Sequence, residues 1–214
     1  MQVLIDNFGT IVESFLMTLR LFLVAGTLSL IFGTILVAMR VGPVGVLNKA
    51  AAVYVTIFRN TPLLVLLLLV VFGFPKLDIR LGLFWMNILA LTMYTSTFVC
   101  EAIRSGVNSI PIGQAEAARS IGLGFTQTMK NVVLPQSFRA VVPPLTSVFI
   151  ALTKNTSLCF IFGIFEATAA MKGLLNDNAS QLWWIFGGIA LGYIIIVEII
   201  SAAAALLERR WRIA

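Results

Sequence analysis

The chain has 214 residues, 59% of them hydrophobic and only 11% charged, with a formal net charge of +6 and no histidine. A mean hydropathy of +1.00 excludes a water-soluble domain and puts the chain in a bilayer, and the missing histidine removes the commonest metal ligand and the commonest general base. Cys100 and Cys159 both fall in apolar runs, which gives no basis for a disulfide framework or a C-x-x-C metal or redox motif.

Crossing a hydrocarbon core of about 30 Å takes roughly 20 apolar residues, and five such runs can be drawn, near residues 11–38, 50–73, 84–103, 140–164 and 182–206. The chain is therefore expected to be an all-α, single-domain integral membrane protein with five transmembrane helices over residues 1–214. Residues 1–10 hold no basic cluster and Arg20 interrupts the first run, so that run reads as a retained helix rather than a cleaved signal. Arg20 and Glu198, deep in the first and fifth runs, should face the bundle or a second subunit.

The second run carries "FRNTPLL". Leu63–Phe74 is too short to span alone, so the helix must also use residues 50–58, which forces Arg59, Asn60 and Thr61 inside it. The fourth run holds a matching interruption, "LTKNTSL", with Lys154, Asn155, Thr156 and Ser157. At a rise of about 1.5 Å per residue, Arg59 would sit on the order of 13 Å deep and Lys154 on the order of 21 Å deep. A charge there costs about 2.5–3.5 kcal/mol unless a polar interior receives it, and Pro62 frees a backbone carbonyl as well. Two readings follow. Arg59 and Lys154 pair with Glu101, Glu13 or backbone carbonyls, or Arg59 snorkels toward the cytoplasm; or these seven residues, with Glu101, border a midplane pathway whose cationic and hydroxyl donors suit a carboxylate. A Ser157–Lys154 nucleophile pair is the enzymatic alternative, but no oxyanion partner accompanies it.

Basic residues set the expected orientation. Arg40, Lys49, Arg104, Arg119, Lys130, Arg139, Arg209, Arg210 and Arg212 fall on one side, and Lys76, Arg80 and Lys172 on the other. The N-terminus is expected outside and the C-terminal "ERRWRIA" inside, with Trp211 as an interfacial anchor. The basic balance is thus explained by topology, without nucleic acid.

Residues 104–139 form the longest polar excursion, on the cytoplasmic side. Pro111 opens a short helix through Gln114–Arg119 that Gly122 should stop, and a second short helix over 125–133 should be closed by Pro135. Ile112, Ala115, Ala118 and Ile121 recur at helical spacing, flanked by Glu116 and Arg119.

The loop's wording resembles the EAA signature of the membrane subunits of ABC importers: Glu116, Ala117, Ala118, three residues, Gly122, nine residues, then Val132, Leu134 and Pro135, with Val in the place usual for Ile. "FRNTPLL", "SIPIGQAEAARSIGL" and "LTKNTSL" are similar to the polar amino-acid branch, the His/Gln/Glu/Arg permeases. The resemblance implies a type I ABC importer permease fold in a bacterial inner membrane. It also implies a second permease subunit, identical or related, two ATPase subunits that dock on Ala115, Glu116, Ala117, Ala118, Arg119, Gly122, Leu134 and Pro135, and an external amino-acid-binding protein. ATP would be bound on the partner, since the chain has no G-x-x-x-x-G-K-[ST] loop. Many relatives carry Asp where this chain has Asn155, which leans the substrate toward an acidic or neutral polar amino acid such as glutamate or glutamine. A small ion-coupled carrier or channel using Arg59, Glu101 and Lys154 as a relay is the rival reading.

Overall fold

The computed structural model describes residues 1–210, so the Trp211 anchor lies outside the described residues. A short N-terminal helix, α1 (Gln2–Asp6), leads into α2 (Phe8–Val41), and α3 (Gly45–Asn60) follows. The next helix, α4 (Leu63–Leu68), continues through a π turn (Leu69–Gly73) and a 3-10 turn (Phe74–Leu77). Then come α5 (Leu83–Asn108), α6 (Ile112–Ser120), α7 (Phe125–Thr128), a π turn (Met129–Val133) and α8 (Leu134–Asn155). A 3-10 stretch (Thr156–Phe162), α9 (Ala167–Asp177), a 3-10 turn (Ala179–Gln181) and α10 (Leu182–Arg210) complete the fold.

The helix at the centre is α5, which packs against α2, α3, α4 and α8. Two of its buried hydroxyls are satisfied within the helix, Ser96 donating to the Met93 carbonyl and Thr97 to that of Tyr94, while those of Thr92 and Thr95 are buried with no partner among the described residues. Ser14, Thr18, Leu21, Ala25, Ser29, Gly33 and Leu36 form the buried stripe of α2, recurring every three or four residues. The outer faces of α2 and α10 are mostly apolar, with Leu23, Ile31, Phe32, Leu191, Ile195 and Ile199 exposed, as a lipid-facing surface requires, but each also exposes a charged residue, Arg20 on α2 and Glu198 on α10. Where α5 meets α8 the backbones come close: a Cβ on Gly106 would lie 2.8 Å from the Val141 backbone, so only glycine fits.

Among the described residues, four helical stretches are long and apolar enough to span: 8–41, 83–108, 125–162 and 179–209; the fifth candidate is a bent pair, 45–60 with 63–77. The expected five-span bundle holds if that pair counts as one crossing. It does not form the single run drawn over 50–73. Thr61 and Pro62 adopt extended backbone, because proline disfavours helical geometry in the residue before it, and the two halves meet at 102°.

Pro135 also behaves differently from expectation. It closes no helix; residues 125–162 run on as one stretch, with Pro135 in the first turn of α8. The π turn at Met129–Val133 widens the helix just ahead of the ring, where the missing N–H would otherwise break the regular ladder. Pro111 stands just outside α6, which begins at Ile112. Arg20 and Glu198 are exposed on the outside of the bundle, so neither turns into the core of its own subunit.

Candidate functional site: two clefts, an ion-pair knot and a capped loop helix

Glu101, near the α6 end of α5, gathers three arginines. Arg40, from the last turn of α2, pairs with its Oε1; Arg104 donates to Oε2 at 2.8 Å, and Arg59 stands 3.9 Å from Oε2. The carboxylate thus ties α2 and α5 together and brings in the end of α3. Of the expected partners, Arg59 takes Glu101. Because Arg40 and Arg104 lie at helix ends, Arg59 is level with the α6 end of the bundle, not about 13 Å along a straight helix; the bend at Thr61–Pro62 invalidates the straight count. Arg59, Glu101, Arg104, Ser105, Asn108 and Ser109 line a cleft of about 550 Å³. Asn60 and Thr61 donate to their own helix, to the Thr56 and Ile57 carbonyls.

The second polar interruption is divided between two clefts. Lys154 is exposed and, among the described residues, no acid pairs with it. With Ser157, Thr168, Phe186 and Tyr193 it lines a cavity of about 250 Å³. Asn155 opens instead on a cavity of about 360 Å³ beside Tyr94, Thr95, Phe98 and Ser147. Thr156 is buried and donates to the Thr153 carbonyl, while Ser157 donates to that of Lys154. The structure therefore groups Arg59 with Glu101, and Lys154 with Ser157, but does not join the two groups into one pocket.

Sequence reading missed Glu166. This carboxylate is fully buried at the start of α9, where Oε1 accepts from the Thr168 and Ala169 backbone N–H groups at 2.9 and 3.0 Å. Its Oε2 accepts from the Tyr193 hydroxyl at 2.8 Å. Burial pushes its pKa above the ordinary glutamate value, against the pull of those donors. Arg40 was missed as a partner because it reads as an ordinary basic loop residue flanking a span.

The loop helix α6 stands apart from the main bundle, buried only at Ala118. Its end is a Schellman cap: the Gly122 N–H donates to the Arg119 carbonyl at 3.0 Å and the Leu123 N–H to that of Ala118 at 3.2 Å. Gly122 has φ +87°, the left-handed conformation that residues with a Cβ resist. The expected small apolar face is split. Ala118 turns inward and Ala115 is half-buried, while Ile112, Glu116 and Arg119 face outward at i, i+4, i+7, with Ala117 exposed too. Ile112, Ile121 and Phe125 are 77%, 79% and 72% exposed, and Leu134 is also exposed while Pro135 is half-buried.

Residues 9–213 match the family model of the binding-protein-dependent transport system inner membrane component. The chain belongs to this family. It is a multi-pass inner-membrane permease subunit of the ABC importer type. It is 38% identical over 202 residues to the glutamate transport system permease protein GluC of Corynebacterium glutamicum, covering 87% of each chain. It is 34% identical to the probable glutamine ABC transporter permease protein GlnM of Bacillus subtilis (98% of this chain, 96% of the relative). Identity to the glutamate/aspartate import permease protein GltJ of Escherichia coli K12 is 31% (96% and 88%). Among solved structures, an amino acid ABC transporter crystallised with histidines superposes with a TM-score of 0.86 at 27% identity, over 97% of this chain and 96% of that one. The inward-facing MetNI methionine ABC transporter shares the fold, with a TM-score of 0.72 at 20% identity over 97% and 99% of the chains.

Proposed function

We propose that this chain forms the translocation pathway of a bacterial ATP-driven importer for an acidic or neutral polar amino acid, with glutamate or glutamine favoured. It works beside a second permease subunit, identical or related, with two ATPase subunits at the α6 loop and an external binding protein at the opposite face. The chain is not itself an enzyme and binds no cofactor; ATP is held and hydrolysed by the partner. The N-terminus lies outside and the C-terminus in the cytoplasm.

The observation that carries this reading is α6: a short helix with a rigid glycine cap, standing off the bundle and presenting Ile112, Glu116 and Arg119 outward. An exposed isoleucine pair and phenylalanine beside such a peg are what a partner's groove would cover. The relatives' printed substrates, glutamate and glutamine, support the substrate class. Lys154 and Ser157 in one cavity and Asn155 in the other border the pathway, Thr156 holds the turn between them, and Arg59, Asn60, Thr61 and Glu101 form its inner mouth. An ammonium with neighbouring hydroxyls suits the α-carboxylate common to amino acids.

The test is uptake of labelled glutamate, aspartate, glutamine, arginine and histidine by vesicles holding this chain with its permease, ATPase and binding-protein partners. ATP-dependent accumulation of glutamate or glutamine is expected. Accumulation without ATP that collapses with a protonophore would make the chain an ion-coupled carrier and overturn the reading.

A further inference from the structure

The knot around Glu101 holds more positive charge than its one carboxylate can neutralise. Arg40, Arg59 and Arg104 share that single acid, and like charges held this close repel one another. Arg59 and Arg104, the two that border the adjoining cleft, have donors to spare. Arg59 stands 3.9 Å from Glu101, beyond hydrogen-bond range, with half of its side chain exposed. Arg104 donates one N–H to Glu101, yet its Nε is buried with no acceptor, a state that native structures seldom leave unexplained. The cleft between them, about 550 Å³, is completed by polar side chains including Ser105 and Asn108, both exposed. Arg59 and the uncommitted Nη donors of Arg104 therefore border a space large enough to hold an acceptor, while the Arg104 Nε is closed off from it.

We propose that this cleft is an oxyanion-binding site, taking a carboxylate- or phosphate-bearing ligand between Arg59 and Arg104, with Asn108 and Ser105 as further donors. A guanidinium presents paired N–H groups in a planar fork that matches two oxygens of one anion; the Arg59 fork is uncommitted and Arg104 adds its remaining Nη donors, a set that favours a phosphate or a carboxylate over a chloride ion. Two sources share this chemistry: a free anionic solute reaching the α6 end of the bundle, and the headgroup of an anionic phospholipid. The site does not depend on what the chain transports, because binding is read on the chain alone.

The test uses the full-length chain in lipid nanodiscs. Inorganic phosphate and glutamate are titrated by calorimetry into phosphatidylcholine nanodiscs, and phosphatidylglycerol retained from mixed-lipid discs is counted by native mass spectrometry. Saturable binding of at least one probe is expected, weakened ten-fold or more by Arg59→Gln, partly restored by Arg59→Lys and weakened at high salt. Binding of phosphate or glutamate in phosphatidylcholine discs assigns a free solute; retention of phosphatidylglycerol alone assigns a headgroup. Asn108→Ala, a change at an exposed position, serves as the second variant should Arg59→Gln fail to fold, and it too should weaken binding. Absence of saturable binding for all three probes would overturn the site, as would binding that Arg59→Gln, or Asn108→Ala in its place, leaves unchanged; the knot would then be an ion pair and nothing more.

Discussion

Replacing Gly122 isolates the contribution of one backbone angle to coupling. Its φ of +87° closes α6, and a Cβ added there meets nothing within 4 Å. The cost of Gly122→Ala is therefore conformational rather than steric, roughly 1–2 kcal/mol for placing an L-residue in the left-handed region. That is about a 5–30-fold shift between the capped and uncapped loop. Gly122→Asn should cost less, since asparagine visits this region more readily, and Gly122→Val more, since a β-branched residue resists it most. Because α6 buries only Ala118, the loss stays local: the melting temperature of the bundle should barely move. Hydrogen exchange at the amides of residues 116–123 reads the cap directly, and protection should fall about 5–30-fold in the alanine variant, with substrate-stimulated ATPase activity falling in the same order across the series. If the alanine variant exchanges like the parent, or asparagine costs more than valine, the cap is not what holds the peg.

Further outcomes follow from the other contacts. Glu101→Gln removes the counter-charge of Arg40 and Arg104 and should lower stability by about 1.5–3 kcal/mol, seen as an earlier thermal transition; an unchanged transition would mean the knot stabilises nothing. Burial raises the Glu166 pKa in the folded state, so its contribution is fully present below the ordinary value of about 4.3 and is lost as pH rises through the folded value. Glu166→Gln should abolish that part of the pH slope and gain stability relative to the parent at neutral pH; an identical slope in the variant would refute the assignment. Gly106→Val drives a side chain into the Val141 backbone and should cost about 1–3 kcal/mol by overpacking. Gly173→Ala, with open space around its Cβ, should be neutral or mildly stabilising in the same melts.

The features legible in the sequence are those carried by nearby residues. Apolar runs of spanning length mark the long helices, and the Gly122 stop could be placed because a Schellman cap is closed by bonds within six residues. Pro62 was visible, but a hydropathy window averages across a bend, so 50–73 read as one span and Arg59 received a depth that the 102° turn removes. Helical spacing put Ala115 and Ala118 on one face but could not say which way that face turns; contact with the π turn that follows decides it. Glu166 escaped notice because Tyr193 lies 27 residues away and the neighbouring Thr18, which accepts from the Ala167 N–H, lies 149 residues away. Arg40 and Glu101 are 61 residues apart, and nothing local links them. Lys154 and Asn155, adjacent in sequence, open on different cavities because successive helical residues point about 100° apart.

The most direct test of the central claim, that α6 couples the permease to a separate ATPase, is a cysteine cross-link. The two native cysteines are buried, so Ala117→Cys on the exposed side of α6 gives a single reactive thiol, with Phe165→Cys at an exposed position in the turn before α9 as the control. A short bifunctional reagent applied to the assembled transporter should join Cys at position 117 to the ATPase subunit and leave position 165 uncoupled from it. Cross-linking from position 165 but not 117, or from neither, would contradict the account.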